Sequence, residues 1–244
     1  MSFSNMNTKS ESAGTPTPLR RSVINRSIRE AAELFARSGI VLPPFASWSV
    51  AEWQRRGAEA DEIRDCMLGW DVTDFGSGDF ARIGRTLFTL RNGTTRKPGY
   101  RKTYAEKLLF DPENQRAPAH YHRSKMEDII CVAGGNMLVQ LWPATADDQK
   151  GDSPLIVKVD GIPRPIAAGE TIRLKPGTSV CIVPRTIHQF WGEEGTGLAV
   201  SREISSVCDD WNDNVFLVVG GVRFPQILED EPRERYLCQE YPSA

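Results

Sequence analysis

The sequence predicts a mostly β protein, an antiparallel β-barrel or jelly roll with an N-terminal helical extension. From about residue 71 onward, short runs of β-branched and aromatic residues alternate with Gly, Pro and Asn, as in antiparallel strands joined by turns. Long helical patterns between these runs are absent, which disfavours a doubly wound parallel sheet. Before residue 71 the apolar residues recur at helical spacing instead.

The N-terminal part divides into a lead-in and a helical extension. Residues 1–20 are polar and lack the apolar stretch of a secretory signal, so we predict a disordered lead-in. Residues 21–70 form the predicted extension. Its first helix carries apolar residues at helical spacing and ends near Gly39, and its second opens at Ser49-Val-Ala-Glu52, which has the form of a capping box. Neither helix has enough apolar surface to fold alone, so both are expected to pack on the main domain.

The third part, residues 71–244, is predicted to be one β domain. An Asn92-Gly93 turn is expected after the first of its strand-like runs. The alternative that some apolar runs are buried helix segments stays open at this point. In order, the runs are RTLFTLRNG, TYAEKLLF, EDIICVAGG, NMLVQLW, PLIVKVDG, ETIRLKPG, SVCIVP, QFWG, GLAVSREI and VFLVVGG.

The composition narrows the function classes. The chain has 244 residues, with 30 Lys and Arg against 32 Asp and Glu, so no global charge favours nucleic acid or an anionic membrane surface. No apolar run approaches the roughly 20 residues needed to cross a bilayer. The five cysteines are odd in number and form no CxxC pair, which disfavours a disulfide framework or a zinc-thiolate site. A small-molecule partner and a cytoplasmic location are expected.

A metal centre is predicted from the three histidines of the chain. His120 and His122 share one face of a strand because side chains alternate with period two, and Glu127 on the next strand can turn toward them. Only a closed β architecture would bring His188, far downstream, beside this pair. Three imidazoles and one carboxylate would leave open positions on Mn²⁺, Fe²⁺, Co²⁺ or Ni²⁺ for substrate oxygens. The competing interpretation is a chance HxH motif with His188 in the core or at its rim.

The ligand spacing is similar to the cupin pattern. The first cupin motif is present as His120-x-His122-x4-Glu127-x6-Gly134, with Asn114 in place of the usual leading glycine. The second motif is looser: Thr186 stands where glycine is usual, the histidine arrives one residue early, and the final Asn is missing.

Longer stretches closely resemble the D-lyxose isomerase family, which comprises cupin-fold, manganese-dependent aldose–ketose isomerases. The resemblance runs from about Arg85 to the C-terminus. It implies that D-lyxose is interconverted with D-xylulose and D-mannose with D-fructose, that His120, His122, Glu127 and His188 hold Mn²⁺, and that the protein is a homodimer. The stretches are TYAEKLL, PAHYHRSKMEDII and SREISSVCDDWNDN.

The isomerase reaction also needs a base, and no histidine is left over for this role. Glu203 is the leading candidate because it shares a strand face with Ser201 and Ser205, which can line a polar interior; a solvent-facing carboxylate is the alternative. Lys125 and Lys107 are candidates for orienting a sugar hydroxyl or stabilising negative charge, or are simply surface lysines. A carboxylate or lysine can act as the base if its pKa is moved toward neutrality.

Asp213 and Arg223 are weaker candidates for binding sugar hydroxyls, because an Asp209-Asp210-Asp213 cluster is more often a solvated loop. Two other functions use the same fold. A cupin dioxygenase or decarboxylase would use the same ligands for different chemistry, and a non-catalytic sugar-binding cupin would need no base.

Overall fold

The computed structural model describes residues 17–218 and 222–244. Most of the predicted lead-in therefore lies outside the described residues. Its last two residues do not fit that prediction, because Leu19–Arg20 forms a short strand paired in parallel with Ile227–Leu228 near the C-terminus. Leu19 is buried in this pair, which gives the segment an apolar anchor that its polar neighbours concealed.

The N-terminal extension contains the helices predicted from its sequence. The long helix α1 ends just before Gly39, and Ser49 and Glu52 make the predicted capping box at the start of α2. In the described part of the chain, no helix is both long and apolar enough to cross a membrane. The helices of the described residues are α1 (Arg21–Arg37), α2 (Val50–Trp53) and α3 (Asp61–Asp65).

The strands account for most of the regular structure after the extension. Every predicted run contains or overlaps a strand, and the end of the last run, VFLVVGG, lies outside the described residues. In chain order the strands of the described residues are β1 (Leu19–Arg20), β2 (Gly69–Thr73), β3 (Arg85–Arg91), β4 (Tyr104–Asp111), β5 (His120–His122), β6 (Glu127–Gly134), β7 (Met137–Pro143), β8 (Leu155–Val159), β9 (Ile162–Ile166), β10 (Thr171–Leu174), β11 (Ser179–Ile182), β12 (Thr186–Gly192), β13 (Ala199–Ser206), β14 (Asn214–Phe216) and β15 (Ile227–Leu228).

Two antiparallel sheets form the body of the protein. The larger has the strand order β2-β3-β4-β13-β6-β11-β8-β9, and the smaller has the order β10-β7-β12-β5-β14. One apolar core joins them, to which the larger sheet contributes residues such as Leu109 and Ile129 and the smaller sheet Val139 and Leu141. The mostly β, antiparallel fold class predicted from the sequence is confirmed.

A second apolar layer covers the outer face of the larger sheet. Ile24, Ile28 and Phe35 of α1 pack there against Trp70 and Phe88. The first five residues of strand β3 are consequently buried, so that both faces of the strand are covered there. The sheet begins at Gly69, slightly before the predicted boundary at residue 71, and the extension lies directly against it.

Both glycine positions of the first ligand motif, one of them occupied by Asn, have left-handed backbone conformations. Asn114, which replaces the usual motif glycine, has a φ of 61°, and Asn is among the residues that tolerate this left-handed conformation. The final motif glycine, Gly134, has a φ of 77°, and a Cβ there would lie 2.1 Å from the carbonyl oxygen of Leu198. The expected turn at Asn92-Gly93 is wrong, because β3 ends at Arg91 and the two residues after it form no turn.

The C-terminal segment, residues 222–244, is tied to α1 by a buried cation. The guanidinium of Arg21 is fully buried and donates hydrogen bonds of 2.8 Å to Glu229 and of 3.2 Å and 2.5 Å to Glu240. The hydrogen bond from Arg21 lowers the pKa of Glu229 to about 2. Burying a guanidinium is costly unless its charge is paired, so this cluster connects both ends of the described chain.

We predict that Arg21→Met destabilises the protein by about 1.5–3 kcal/mol at neutral pH, because it removes hydrogen bonds between charged groups. Since the folded-state pKa of Glu229 is depressed, this contribution is present above the ordinary value near 4.5 and is lost as pH falls toward about 2. Urea unfolding at several pH values measures the effect. Arg20→Met is the matched control, since its side chain is 56% exposed. Equal midpoints for the two variants at pH 7 would contradict the prediction.

Candidate metal centre and active site

Three histidines converge between the two sheets. His120 on β5 and His188 on β12 are direct cross-strand partners, and His122 lies on the same face of β5 as His120. Each ring offers one nitrogen, and these nitrogens lie within 4.8 Å of one another. The smaller sheet therefore brings together the distant histidine and the HxH pair, as the sequence predicted.

Backbone carbonyls fix the orientation of two of the rings. Nδ1 of His120 lies 2.9 Å from the carbonyl oxygen of Pro118, and Nδ1 of His188 lies 3.0 Å from that of Thr186. Because a carbonyl only accepts, each Nδ1 donates its proton, and in the neutral form of the ring the lone pair is then on Nε2. This support by an outer group is typical of histidines that bind metals.

Glu127, the first residue of β6, joins this group from the larger sheet. Its Oε1 lies 3.0 Å from Nε2 of His188, and its Oε2 lies 3.5 Å from Nε2 of His122. Oε1 and both ring nitrogens of His122 are buried without a hydrogen-bond partner. In the neutral form of the His188 ring, Nε2 is an acceptor, so that it and Oε1 of Glu127 would be two acceptors facing each other, as ligands of one cation do. The four side chains fit a divalent cation.

Burial sets the ionisation of the histidines. It lowers the pKa of His120 well below its ordinary value, and the neighbouring rings of His188 and His122 lower it further. Burial also lowers the pKa of His122, together with the charge of Lys125. These two rings are therefore neutral near pH 7, which is the form that binds metal.

Two lysines and two carboxylates form a buried network beside the histidines. The ammonium of Lys125 lies 2.5 Å from Oε2 of Glu127 and 2.7 Å from Oε1 of Glu203. Lys107, opposite Glu203 in the β4–β13 register, has its Nζ 3.5 Å from the same Oε1. The hydroxyl of Ser205 donates a third contact to Glu203 at 3.1 Å. All four charged side chains are buried rather than on the surface.

The pKa shifts in this network separate the roles of carboxylate and lysine. Burial opposes ionisation of Glu203, but the charges of Lys107 and Lys125 outweigh it and lower its pKa. Burial likewise opposes charge on Lys125 and Lys107, yet their carboxylate and thiol neighbours raise both pKa values. The expectation of a pKa moved toward neutrality is therefore wrong for these residues. Glu203 is an ionised acceptor, and the lysines are cations.

Arg223 reaches the cavity from the C-terminal segment. It donates a hydrogen bond to the buried Asp71 on β2, and its Nε lies 3.5 Å from Asp210. One guanidinium nitrogen, Nη1, is buried without a partner. Burial opposes ionisation of Asp210, but the charges of Lys107 and Arg223 lower its pKa. The wall opposite the histidines therefore pairs a cation with an anion.

Asp213 lies outside the cavity lining, unlike the other predicted residues. Its carboxylate accepts hydrogen bonds from the backbone N–H and hydroxyl of Ser124, at 2.8 and 2.6 Å, and from the N–H of Lys125, at 3.0 Å. It thus holds the loop that aims the Lys125 ammonium. Lys125 itself precedes β6 and is not a strand residue.

The cavity between the sheets is lined by side chains from both of them. Sequence reasoning missed several of its side chains: Arg85 carried no motif, and Asp210 was assigned to a solvated cluster. Only the folded chain shows their convergence. Its lining consists of Phe75, Arg85, Leu87, Lys107, Leu109, Ala117, His120, His122, Lys125, Glu127, His188, Phe190, Glu203, Asp210, Asn214, Phe216 and Arg223.

Comparison with known proteins identifies the family. The sequence model described as D-lyxose isomerase matches residues 19–241. The chain belongs to the D-lyxose isomerase family. It is 45% identical over 224 residues to the D-lyxose/D-mannose isomerase of Escherichia coli O157:H7, covering 91% of this chain and 98% of that protein. The corresponding enzyme of Serratia proteamaculans is 46% identical over the same length. This member of the D-lyxose isomerase family is a sugar isomerase.

Solved structures show the same cupin-like fold at low identity. A mutant L-ribose isomerase of Acinetobacter sp. DL28, in complex with L-ribose, superposes with a TM-score of 0.59 at 15% identity and covers 88% of this chain and 100% of that one. The L-ribose isomerase of Cellulomonas parahominis gives a TM-score of 0.58 at 18% identity with the same coverage. This member of the D-lyxose isomerase family therefore shares its mostly β, antiparallel fold with these L-ribose isomerases.

We predict that His188→Gln lowers bound divalent metal at least about tenfold, because the substitution removes the Nε2 lone pair that faces Glu127. Elemental analysis after dialysis against limiting Mn²⁺ measures the change. Gln189→Ala is the matched control, because this neighbour points to the opposite side of β12 and its amide binds only the carbonyl of Ala117. Full metal occupancy in a folded His188→Gln protein would contradict the assignment.

Proposed function

We propose that this protein interconverts D-lyxose with D-xylulose and D-mannose with D-fructose. The names of its relatives from Escherichia coli and Serratia proteamaculans support these sugars. The observation that carries the proposal is the position of Glu203. An ionised carboxylate, held by two ammonium groups, lines the same cavity as the histidine group. A dioxygenase or a non-catalytic sugar-binding protein would need no such base.

The proposed cofactor is a divalent metal, with Mn²⁺ as the leading candidate, held by His120, His122, Glu127 and His188. Three imidazoles and one carboxylate suit Mn²⁺ and its first-row neighbours. When bound, the ion supplies polarisation of the sugar's carbonyl oxygen. The remaining steps depend on side chains of this chain.

Glu203 is the proposed base. On an open-chain aldose it removes the proton from C2, so that the C2–H electron pair forms the enediolate and the negative charge moves to the former carbonyl oxygen. Returning the proton from Glu203 to C1 gives the ketose, with the second oxygen-bound hydrogen moved between O2 and O1. Because its pKa lies below the ordinary value, Glu203 is ionised at neutral pH, which is the form that a base needs.

The lysines are proposed to stabilise the charge that develops during this transfer. Lys125 and Lys107 keep their positive charge in the buried network, where electrostatic stabilisation is stronger than in water. Arg223 and Asp210 on the opposite wall are proposed to bind sugar hydroxyls, and the unpartnered Nη1 of Arg223 supports this role. Asp213, by contrast, is proposed to position the loop of Lys125.

We further propose that the protein is a cytoplasmic homodimer whose β domain spans residues 71–244. The homodimer is proposed from the family resemblance. The cytoplasmic location is supported by the cysteines, all five of which are free thiols. Such thiols are typical of a reducing compartment.

We predict ketose formation from D-lyxose and from D-mannose that disappears after EDTA treatment and returns most fully with Mn²⁺. The physical reason is that the carbonyl is not polarised without the cation. A panel of aldoses assayed with each divalent metal measures both preferences. L-ribose belongs in the panel because the fold is shared with L-ribose isomerases. Metal-replete protein that forms no ketose from D-lyxose or D-mannose would refute the proposed function.

We predict that Glu203→Gln lowers kcat about 10²–10⁴-fold, because a positioned base contributes this much. Bound metal should be retained, since the amide preserves the shape of the side chain. The wild-type protein should carry deuterium from C2 of [2-²H]-D-lyxose to C1 of the ketose, apart from the share that exchanges with water while it is bound to Glu203, and the variant should do neither. Wild-type turnover by the metal-replete variant would rule out Glu203 as the base.

A further inference from the structure

The side-chain amide of Asn92 makes two hydrogen bonds with the backbone of Cys208. Its Nδ2 donates to the carbonyl oxygen of Cys208 at 3.0 Å, and its Oδ1 accepts from the N–H of Cys208 at the same distance. Nδ2 also lies 3.3 Å from the carbonyl oxygen of Cys66. Asn92 is only 6% exposed. One buried amide therefore satisfies both backbone polar groups of Cys208 and fixes its position.

The neighbouring Gly93 allows these hydrogen bonds, because without a side chain it lets the Asn92 loop lie close to the segment before Cys208. A Cβ at this position would lie 2.0 Å from the carbonyl oxygen of Lys102 and 2.8 Å from a methyl carbon of Val207, the residue before Cys208. Any larger residue would push the Asn92 loop away from Val207. The Asn-Gly pair, expected from the sequence to make a turn, thus fixes the position of Cys208 instead.

The thiol held in this way contacts a lysine of the active site. Nζ of Lys107 donates a hydrogen bond of 2.8 Å to Sγ of Cys208, whereas its distance to Oε1 of Glu203 is 3.5 Å. The thiol also lies 3.5 Å from Oδ1 of Asp210. The sulfur therefore contacts both the ammonium and a second carboxylate.

We propose that Cys208, fixed by Asn92, is a positioning residue that holds the Lys107 ammonium beside Glu203 and away from Asp210. The inference rests on the proposed function, in which Lys107 stabilises negative charge on the sugar. A neutral thiol suits this task because it accepts a hydrogen bond without cancelling the positive charge. Burial raises the pKa of the Cys208 thiol to about 11, which keeps it neutral. A carboxylate here would pair with the lysine and draw it from Glu203.

The first test compares Cys208→Ala with Cys208→Ser in the metal-loaded protein. Alanine should lower kcat about tenfold with KM changed less than twofold and metal content unchanged, since a hydrogen bond to a charged group is lost. Serine should restore most of kcat, because its hydroxyl also accepts. Cys181→Ala, on β11 at a distance from the cavity lining, is the matched control and should behave as wild type. Wild-type kcat in a folded Cys208→Ala protein would overturn the proposal.

A double-mutant cycle tests whether the thiol acts through the lysine. In a Lys107→Met background, Cys208→Ala should have no further effect on kcat. A full additional tenfold loss would show that Cys208 acts elsewhere and would overturn the proposal.

A crystal structure of Cys208→Ala supplies a readout that does not depend on turnover. The Lys107 ammonium should leave its position beside Glu203, and an unmoved ammonium would overturn the inference. If the wild type isomerises neither D-lyxose nor D-mannose, the proposed function fails, while the position of the ammonium still decides the role of Cys208.

Discussion

The buried carboxylate of Glu127 is the point on which the rest of the site depends. It faces two imidazoles on one side and the Lys125 ammonium on the other, and Lys125 in turn contacts Glu203. Burying an isolated carboxylate would cost more free energy than the net stability of a folded domain. Each buried charge here therefore requires an oppositely charged neighbour. The same pairing keeps Glu203 ionised and the lysine charged. One network therefore accounts for the fit to a cation and for the presence of a base.

The two-sheet architecture makes this network possible. Strands β5 and β12 of the smaller sheet carry the histidines, whereas β4, β6 and β13 of the larger sheet carry the charged residues. Alternation along each strand sends alternate side chains into the space between the sheets. The apolar core occupies one part of that space, and the cavity lies in another part. The outer layer formed by α1 and the C-terminal segment buries the other face of the larger sheet, and the same segment carries Arg223 to the cavity.

Particular residues show how far sequence reasoning reaches. Glu203 was predictable because Ser201 and Ser205 share its strand face, and all three are buried as expected. The sequence did not reveal that the carboxylate of Asp213 binds the backbone of the Lys125 loop, because the two segments are far apart in the chain. Asn92 was misread as a turn residue because its partners are distant in the chain, so no local pattern reveals them.

The sequence by itself determined the strand content, the pair His120 and His122 on one face, and the family. These features depend on period-two alternation and on short motifs, which are local properties of a chain. Only the tertiary structure decided which charges meet. The contacts of Lys107 with Cys208, of Arg223 with Asp71, and the lowered pKa of Glu203 all come from side chains far apart in sequence. Electrostatic interaction depends on distance and burial, and both are set when the sheets pack together.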